Sequence, residues 1–197
     1  MTDKDVNPSS THPPLPPTPE GERFARLRLL RSRRVGIATY KRLLIEHGTA
    51  QNALAALPEV ARAAGVSGYE ICPEDVVRAE LRAGRAAGAQ LLIHGTLPYP
   101  AALAELDDAP PFLWMIGQPD VLARPMISLV GARNASSLGT RMAQTLTRQI
   151  GEAGFVVASG LARGIDRAAH VASLDSGTVA VMAGGIDQPY PPENVPL

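Results

Sequence analysis

The sequence predicts the α/β class, with a mostly parallel sheet flanked by helices on both faces and preceded by a small all-helical domain. Three observations predict it. Over residues 22–88 the apolar side chains recur at helical spacing. From residue 89 onward, short apolar runs alternate with helical stretches, which is how a parallel α/β sheet reads. Three of those runs end in small-residue turns, at Gly131, at Ser159-Gly160 and at Gly184-Gly185.

Residues 1–21 hold six prolines and almost no large apolar side chains, so they bury too little surface to offset the entropy of ordering. A disordered tail is expected there. Helical spacing begins at Glu22 with Phe24, Leu27, Leu30 and Arg31, and breaks at Val35-Gly36-Ile37. Thr39 is then the expected cap of a second helix that ends at Gly48. Thr49 and Pro58 read as starts of short helices, and Gly65 and Gly68 as stops. Pro73 opens a longer amphipathic helix through Val76, Val77, Leu81 and Arg85 to Gly88.

The expected strands are residues 90–93, 112–116, 127–130, 155–158 and 179–182, and helices over 136–153 and 165–174 join the last three. Right-handed crossovers then place the turns at Gly131 and Ser159 on one edge of the sheet. That arrangement is Rossmann-like. The domain reading is a tail over 1–21, a helical domain over 22–88 and the α/β domain over 89–197.

With 197 residues, 45% hydrophobic, the chain has room for one full core and a small second one. No apolar run reaches the roughly 18 residues of a membrane helix, and the polar, proline-rich start is unlike a signal peptide, so a cytoplasmic protein is expected. The single cysteine, Cys72, makes no intrachain disulfide and reads as a small buried apolar side chain. No metal or cofactor is expected.

Net charge is zero, which argues against a protein that holds nucleic acid by being basic everywhere. The distribution is uneven. Eight basic residues face two acidic ones between Glu22 and His47, whereas six face nine from Tyr99 onward. Around the glycine-centred turn at Val35-Gly36-Ile37, which has helix-hairpin-helix character, stand Arg33, Arg34, Lys41 and Arg42. Two readings stand for it: a phosphate contact through Arg33, Arg34, Gly36 and Lys41, or a solvated basic face on a packing module.

In the α/β part, a buried strand runs into Gly131, Arg133 sits in the turn, and Ser136 or Ser137 caps the helix whose N-terminus favours an anion. The second strand ends in Ser159-Gly160, followed by Arg163 and Gly164, and the third in Gly184-Gly185. Side by side, three such ends predict a phosphate-binding cleft lined by backbone N–H groups. Neither the dinucleotide fingerprint nor the nucleoside triphosphatase loop is present. Asp166 and His170, four apart on one helix, have the spacing of an acid-base pair, although a carboxylate in a first helical turn is stabilising without any catalysis.

The three loops together resemble the DprA (Smf) family of bacterial DNA-processing proteins. The resemblance rests on Gly131-Ala132-Arg133, on Ser159-Gly160-Leu161-Ala162-Arg163-Gly164-Ile165-Asp166 with Ala169-His170, and on Gly185-Ile186-Asp187 with Tyr190-Pro191. Leu97-Pro98-Tyr99-Pro100, Pro110-Pro111-Phe112-Leu113 and the Val35 hairpin are similar to the family's lead-in and to its SAM-like helical domain. The resemblance implies a non-enzymatic cytoplasmic protein that binds and protects incoming single-stranded DNA during natural transformation, helps load the RecA recombinase and forms a homodimer. It maps DNA contact onto Gly131, Arg133, Ser159, Gly160 and Arg163. Ala132 stands where the family has serine, which implies one hydroxyl donor fewer. The stop at Leu197 implies a Rossmann-like domain truncated before its last strands, with consequences for dimerisation and RecA contact.

The alternative is a nucleotide-binding hydrolase related to the nucleoside-monophosphate phosphoribohydrolases. Ala183-Gly184-Gly185-Ile186-Asp187 lacks the threonine and glutamate of that family's phosphate loop. A module that binds other proteins is a third reading.

Overall fold

The computed structural model describes residues 19–197, so the proline-rich tail lies outside the described residues except for its last three positions. Those three are helical. Helix α1 (Pro19–Arg31) starts at Pro19 instead of Glu22, because a proline at the first helical position with Glu20 and Glu22 in the first turn favours initiation there. The described chain divides into two compact units, one running up to Val35 and over Thr39–Cys72, the other holding Gly36–Ala38 and Pro73–Leu197.

The first unit is helical. Helix α2 (Ile37–His47) begins ahead of Thr39, which therefore lies in its first turn and is not its cap. Gly48, at φ 75, stops it. Helix α3 (Ala50–Ala63) is capped by Thr49, whose side chain accepts from the Asn52 N–H at 3.2 Å. Pro58 starts no helix but sits inside α3. A proline there costs about 3 kcal/mol. The continuous buried face of Ala50, Ala53, Leu54, Leu57 and Ala61 on both sides of it offsets that cost. Leu27, Leu29 and Leu43 complete the core, each adding roughly 1.5–3 kcal/mol of burial. Cys72 is buried, its N–H donating to Ser32 Oγ (3.1 Å) while its carbonyl accepts from Arg28 Nε (2.7 Å).

Helix α4 (Glu74–Ala86) packs with the second unit, where the sequence places it in the helical domain. The reason is local. A Cβ on Gly84 would overlap the Trp114 ring, and Trp114 Nε1 donates to Glu80 Oε1 at 3.0 Å, so α4 lies against the strand that carries Trp114. That strand, β2 (Phe112–Met115), pairs antiparallel with β1 (Gln90–Ile93), and the short helix α5 (Ala101–Ala104) lies in the loop between them. The pair is a separate two-stranded sheet and not part of the parallel one.

The parallel sheet has three strands in the order β3 (Met126–Ser128), β4 (Val156–Ser159) and β5 (Thr178–Ala180), in register Ile127↔Val157 and Ala158↔Val179. Helices α6 (Ser137–Glu152) and α7 (Ile165–Ser173) connect them. Two right-handed crossovers advancing in the same direction put both helices on one face. There α6 packs along α7 and both contact β4, whose adjacent Val156 and Val157 point to opposite faces of the sheet and are both fully buried. Among the described residues the expected helices on both faces are therefore found on one. None of the helices among the described residues is long and apolar enough to cross a membrane.

Candidate functional site

The carboxyl ends of β3, β4 and β5 carry the three glycine turns to one sheet edge, and short contacts knit them together. At the end of β4, Ser159 Oγ donates to the Leu129 carbonyl at 2.7 Å, and the Val181 N–H donates to the Ser159 carbonyl at 2.8 Å. A Cβ on Gly131 would lie 2.8 Å from Ile165 Cβ, so glycine allows the first turn to rest on the start of α7. Gly164, at φ 77, is more tightly held: its Cβ would overlap the carbonyl oxygen of Ala132, which accepts the Ile165 N–H at 3.2 Å.

Asp166 joins the first two loops. Buried in the first turn of α7, it accepts the Gly131 N–H on Oδ1 (3.3 Å) and the Gly160 N–H on Oδ2 (3.1 Å). His170, one helical turn on, accepts the Leu161 N–H on Nε2 at 3.3 Å, while Nδ1 lies 2.7 Å from Thr178 Oγ1. The Thr178 hydroxyl donates to the Val157 carbonyl at 3.0 Å, so the ring is assigned as the neutral tautomer protonated on Nδ1. Leu161 takes φ 57, unusual for leucine, with its carbonyl accepting from the buried Asn194 Nδ2 at 2.9 Å.

These contacts correct one expectation. The cleft is not lined by free N–H groups there, because the amides of Gly131, Gly160, Leu161 and Ile165 are already bonded to acceptors within the protein. Ser136 is the α6 cap, accepting the Gly139 N–H at 3.1 Å. The open cleft, about 660 Å³, is lined by Arg133, Gly160, Arg163 and Gly184 of the residues that the sequence singles out. Gly131, Ser136, Ser159, Gly164 and Gly185 are not among its lining residues.

The two arginines differ. Arg133 is exposed and makes no ion pair or side-chain hydrogen bond with any described residue. Arg163 is paired with Glu193 on the turn Pro192–Asn194, and the hydrogen bond from Arg163 holds the Glu193 carboxyl below its ordinary range. Glu193, Asn194 and the cleft-lining Tyr190 are not among the site residues that the sequence singles out. Among the described residues, no group of three or more His, Cys, Asp or Glu could hold a metal. In the first unit, Arg33 and Arg34 are exposed, and it is Arg34, at φ 63, that takes the left-handed conformation in the hairpin. Gly36 has open space where a Cβ would lie, so nothing steric requires glycine there.

Residues 90–197 match the family described as DNA recombination-mediator protein A, and residues 20–83 match the DprA-like N-terminal HHH domain. The chain belongs to this family. It is 41% identical over 98 residues to the DNA processing protein DprA of Streptococcus pneumoniae, covering 49% of this chain and 34% of that protein. It is 36% identical over 120 residues to DprA of Bacillus subtilis, covering 59% of this chain and 40% of that protein. The X-ray structure of the Streptococcus pneumoniae DprA superposes with a TM-score of 0.66 at 25% identity, over 88% of this chain and 62% of that one. The chain thus spans well under two thirds of the length of these curated relatives.

The His170 network carries a pH dependence. Burial pushes the imidazole below its ordinary value of 6.5, with the Asp166 charge pulling weakly the other way. The unfolded chain therefore takes up a proton that the folded chain resists, so this stability is present above about pH 6.5 and is lost as pH falls from there through the lower value that the folded imidazole takes, by at most about 1.4 kcal/mol per pH unit. Thermal midpoints at pH 7.5 and 5.5 should differ more for the wild type than for His170→Gln. Equal differences would remove His170 from the acid response.

Proposed function

We propose that this chain binds single-stranded DNA at the β3–β4–β5 edge and acts, without catalysis, in DNA processing during natural transformation and recombination. The observation that carries this reading is Arg133, a guanidinium without a partner among the described residues, at an open cleft formed by three strand ends. Such a group suits a two-pronged contact to a backbone phosphate. Membership in a family of DNA recombination mediators supports the same ligand. Asp166 and His170 are engaged in holding loops, which supports a binding role over hydrolysis. On this reading Arg133 is the principal phosphate contact, Gly160 and Gly184 let the strand approach, and Arg163 contributes once it leaves Glu193. Gly131, Ser136, Ser159, Gly164 and Gly185 shape the loops. Arg33, Arg34 and Lys41 near Gly36 offer a secondary contact. A cytoplasmic location, homodimerisation and RecA as partner belong to the same proposal.

The test is affinity for a labelled oligonucleotide at two salt concentrations. Losing a charge-assisted contact worth about 1.5–3 kcal/mol should weaken Arg133→Ala by roughly ten-fold to a hundred-fold, with Arg133→Lys between it and the wild type. Replacing Arg33, Arg34 and Lys41 by alanine should weaken binding to all sequences alike and flatten the salt dependence. Wild-type affinity in Arg133→Ala would remove the cleft as the phosphate site, and an unchanged salt slope would remove the helical contact.

A further inference from the structure

The cleft beside Arg133 is more apolar than a phosphate needs. Tyr190 is 67% exposed and Val181 65% exposed, and both line it together with Met182, Ala183 and Pro191. The Tyr190 hydroxyl makes no hydrogen bond with any described residue, so neither its ring nor its polar tip is used to hold the fold. A large aromatic ring left open beside two guanidinium groups matches a nucleotide in both its parts, with the cations meeting the phosphate and the ring meeting the face of the base.

From this juxtaposition we infer that Tyr190 is the residue that makes the site choose single strands: an unpaired base stacks on its ring, against the apolar wall that begins at Val181, while Arg133 holds the adjoining phosphate. In a duplex the base faces are covered by their neighbours and only edges are on offer, so a stacking platform is useless there, whereas a phosphate contact serves both forms. Every base has a face, so such a platform also makes the site indifferent to sequence. The inference rests on the DNA-binding reading above and adds the contact that discriminates.

The test uses the whole chain with three probes of equal length: a single strand, its duplex, and a single strand with abasic residues. Tyr190→Ala should lower affinity for the single strand by roughly five-fold to a hundred-fold, leave the duplex unchanged and leave the abasic strand unchanged. Tyr190→Phe and Tyr190→Trp should keep single-strand affinity. If Tyr190→Ala lowers the thermal midpoint, Tyr190→Leu, which keeps the apolar bulk without the ring, should show the same selective loss. Equal losses on all three probes, or wild-type affinity in Tyr190→Ala, would overturn the stacking role while leaving DNA binding in place. Wild-type protein that binds none of the probes would overturn both readings.

Discussion

Gly164→Ala is expected to lower the thermal midpoint by more than roughly 6 °C, the equivalent of at least about 3 kcal/mol in a chain of this size. Two costs combine. At φ 77 and ψ −121, Gly164 occupies a conformation that residues with a side chain avoid, which alone costs about 1–3 kcal/mol. The new methyl would also overlap the Ala132 carbonyl oxygen and sit 2.6 Å from that of Arg133, and neither can yield as a flexible side-chain tip would. Relief requires the two loops to separate, which breaks the Ile165 N–H bond to Ala132 and displaces the segment that carries Arg133. Oligonucleotide affinity should therefore fall with stability. Gly184→Ala is the control for the thermal midpoint alone, because its nearest contact to an added Cβ, the Gln188 carbonyl, is at an ordinary 3.8 Å. A midpoint for Gly164→Ala within a degree or two of the wild type would mean that the loops are not in contact there.

Periodicity made the helices α6 and α7 and the strand β1 legible, because each pattern is local and repeats over its own length. The same local signal could not separate β1 and β2 from the parallel sheet. A four-residue apolar run looks alike in either pairing, and its direction is fixed by contacts made elsewhere, here Trp114 under α4. Glycines at strand ends pointed to the edge where the loops meet. What they could not reveal is which acceptors their amides would find, since Asp166 reaches Gly131 across 35 residues and Arg163 reaches Glu193 across 30. The spacing of Asp166 and His170 was visible as a possible acid-base pair. Its structural use depends on two loops brought in from elsewhere in the chain. Tyr190, Glu193 and Asn194 stand together in a short aromatic and polar run after the third glycine turn, and that cluster was the available signal for them.

Asp166→Asn is expected to be destabilised by about 3 kcal/mol, and Asp166→Ala by at least as much, although both substitutions lie in a helical turn that tolerates either residue. The carboxylate accepts two backbone N–H groups from different loops, and only a side chain with two acceptor oxygens can serve both. In Asp166→Asn, one amide meets an NH₂ donor in place of an oxygen. In Asp166→Ala, both amides lose their acceptor in a part-buried setting, at up to about 1–3 kcal/mol each. The midpoint should fall by roughly 6–12 °C in either variant. Single-strand affinity should fall as well, because the turn at Gly131 that presents Arg133 is no longer tied to the turn at Gly160. Asp166→Glu separates geometry from charge: the longer arm keeps both oxygens but cannot place them on both amides from the same backbone position, so it should behave like the other variants. The comparison also decides between structure and chemistry. An acid-base role would leave Asp166→Asn folded at the wild-type midpoint with a nucleotide-cleaving activity lost, and that result would return the Asp166–His170 pair to catalysis and overturn its assignment as the tie between the loops.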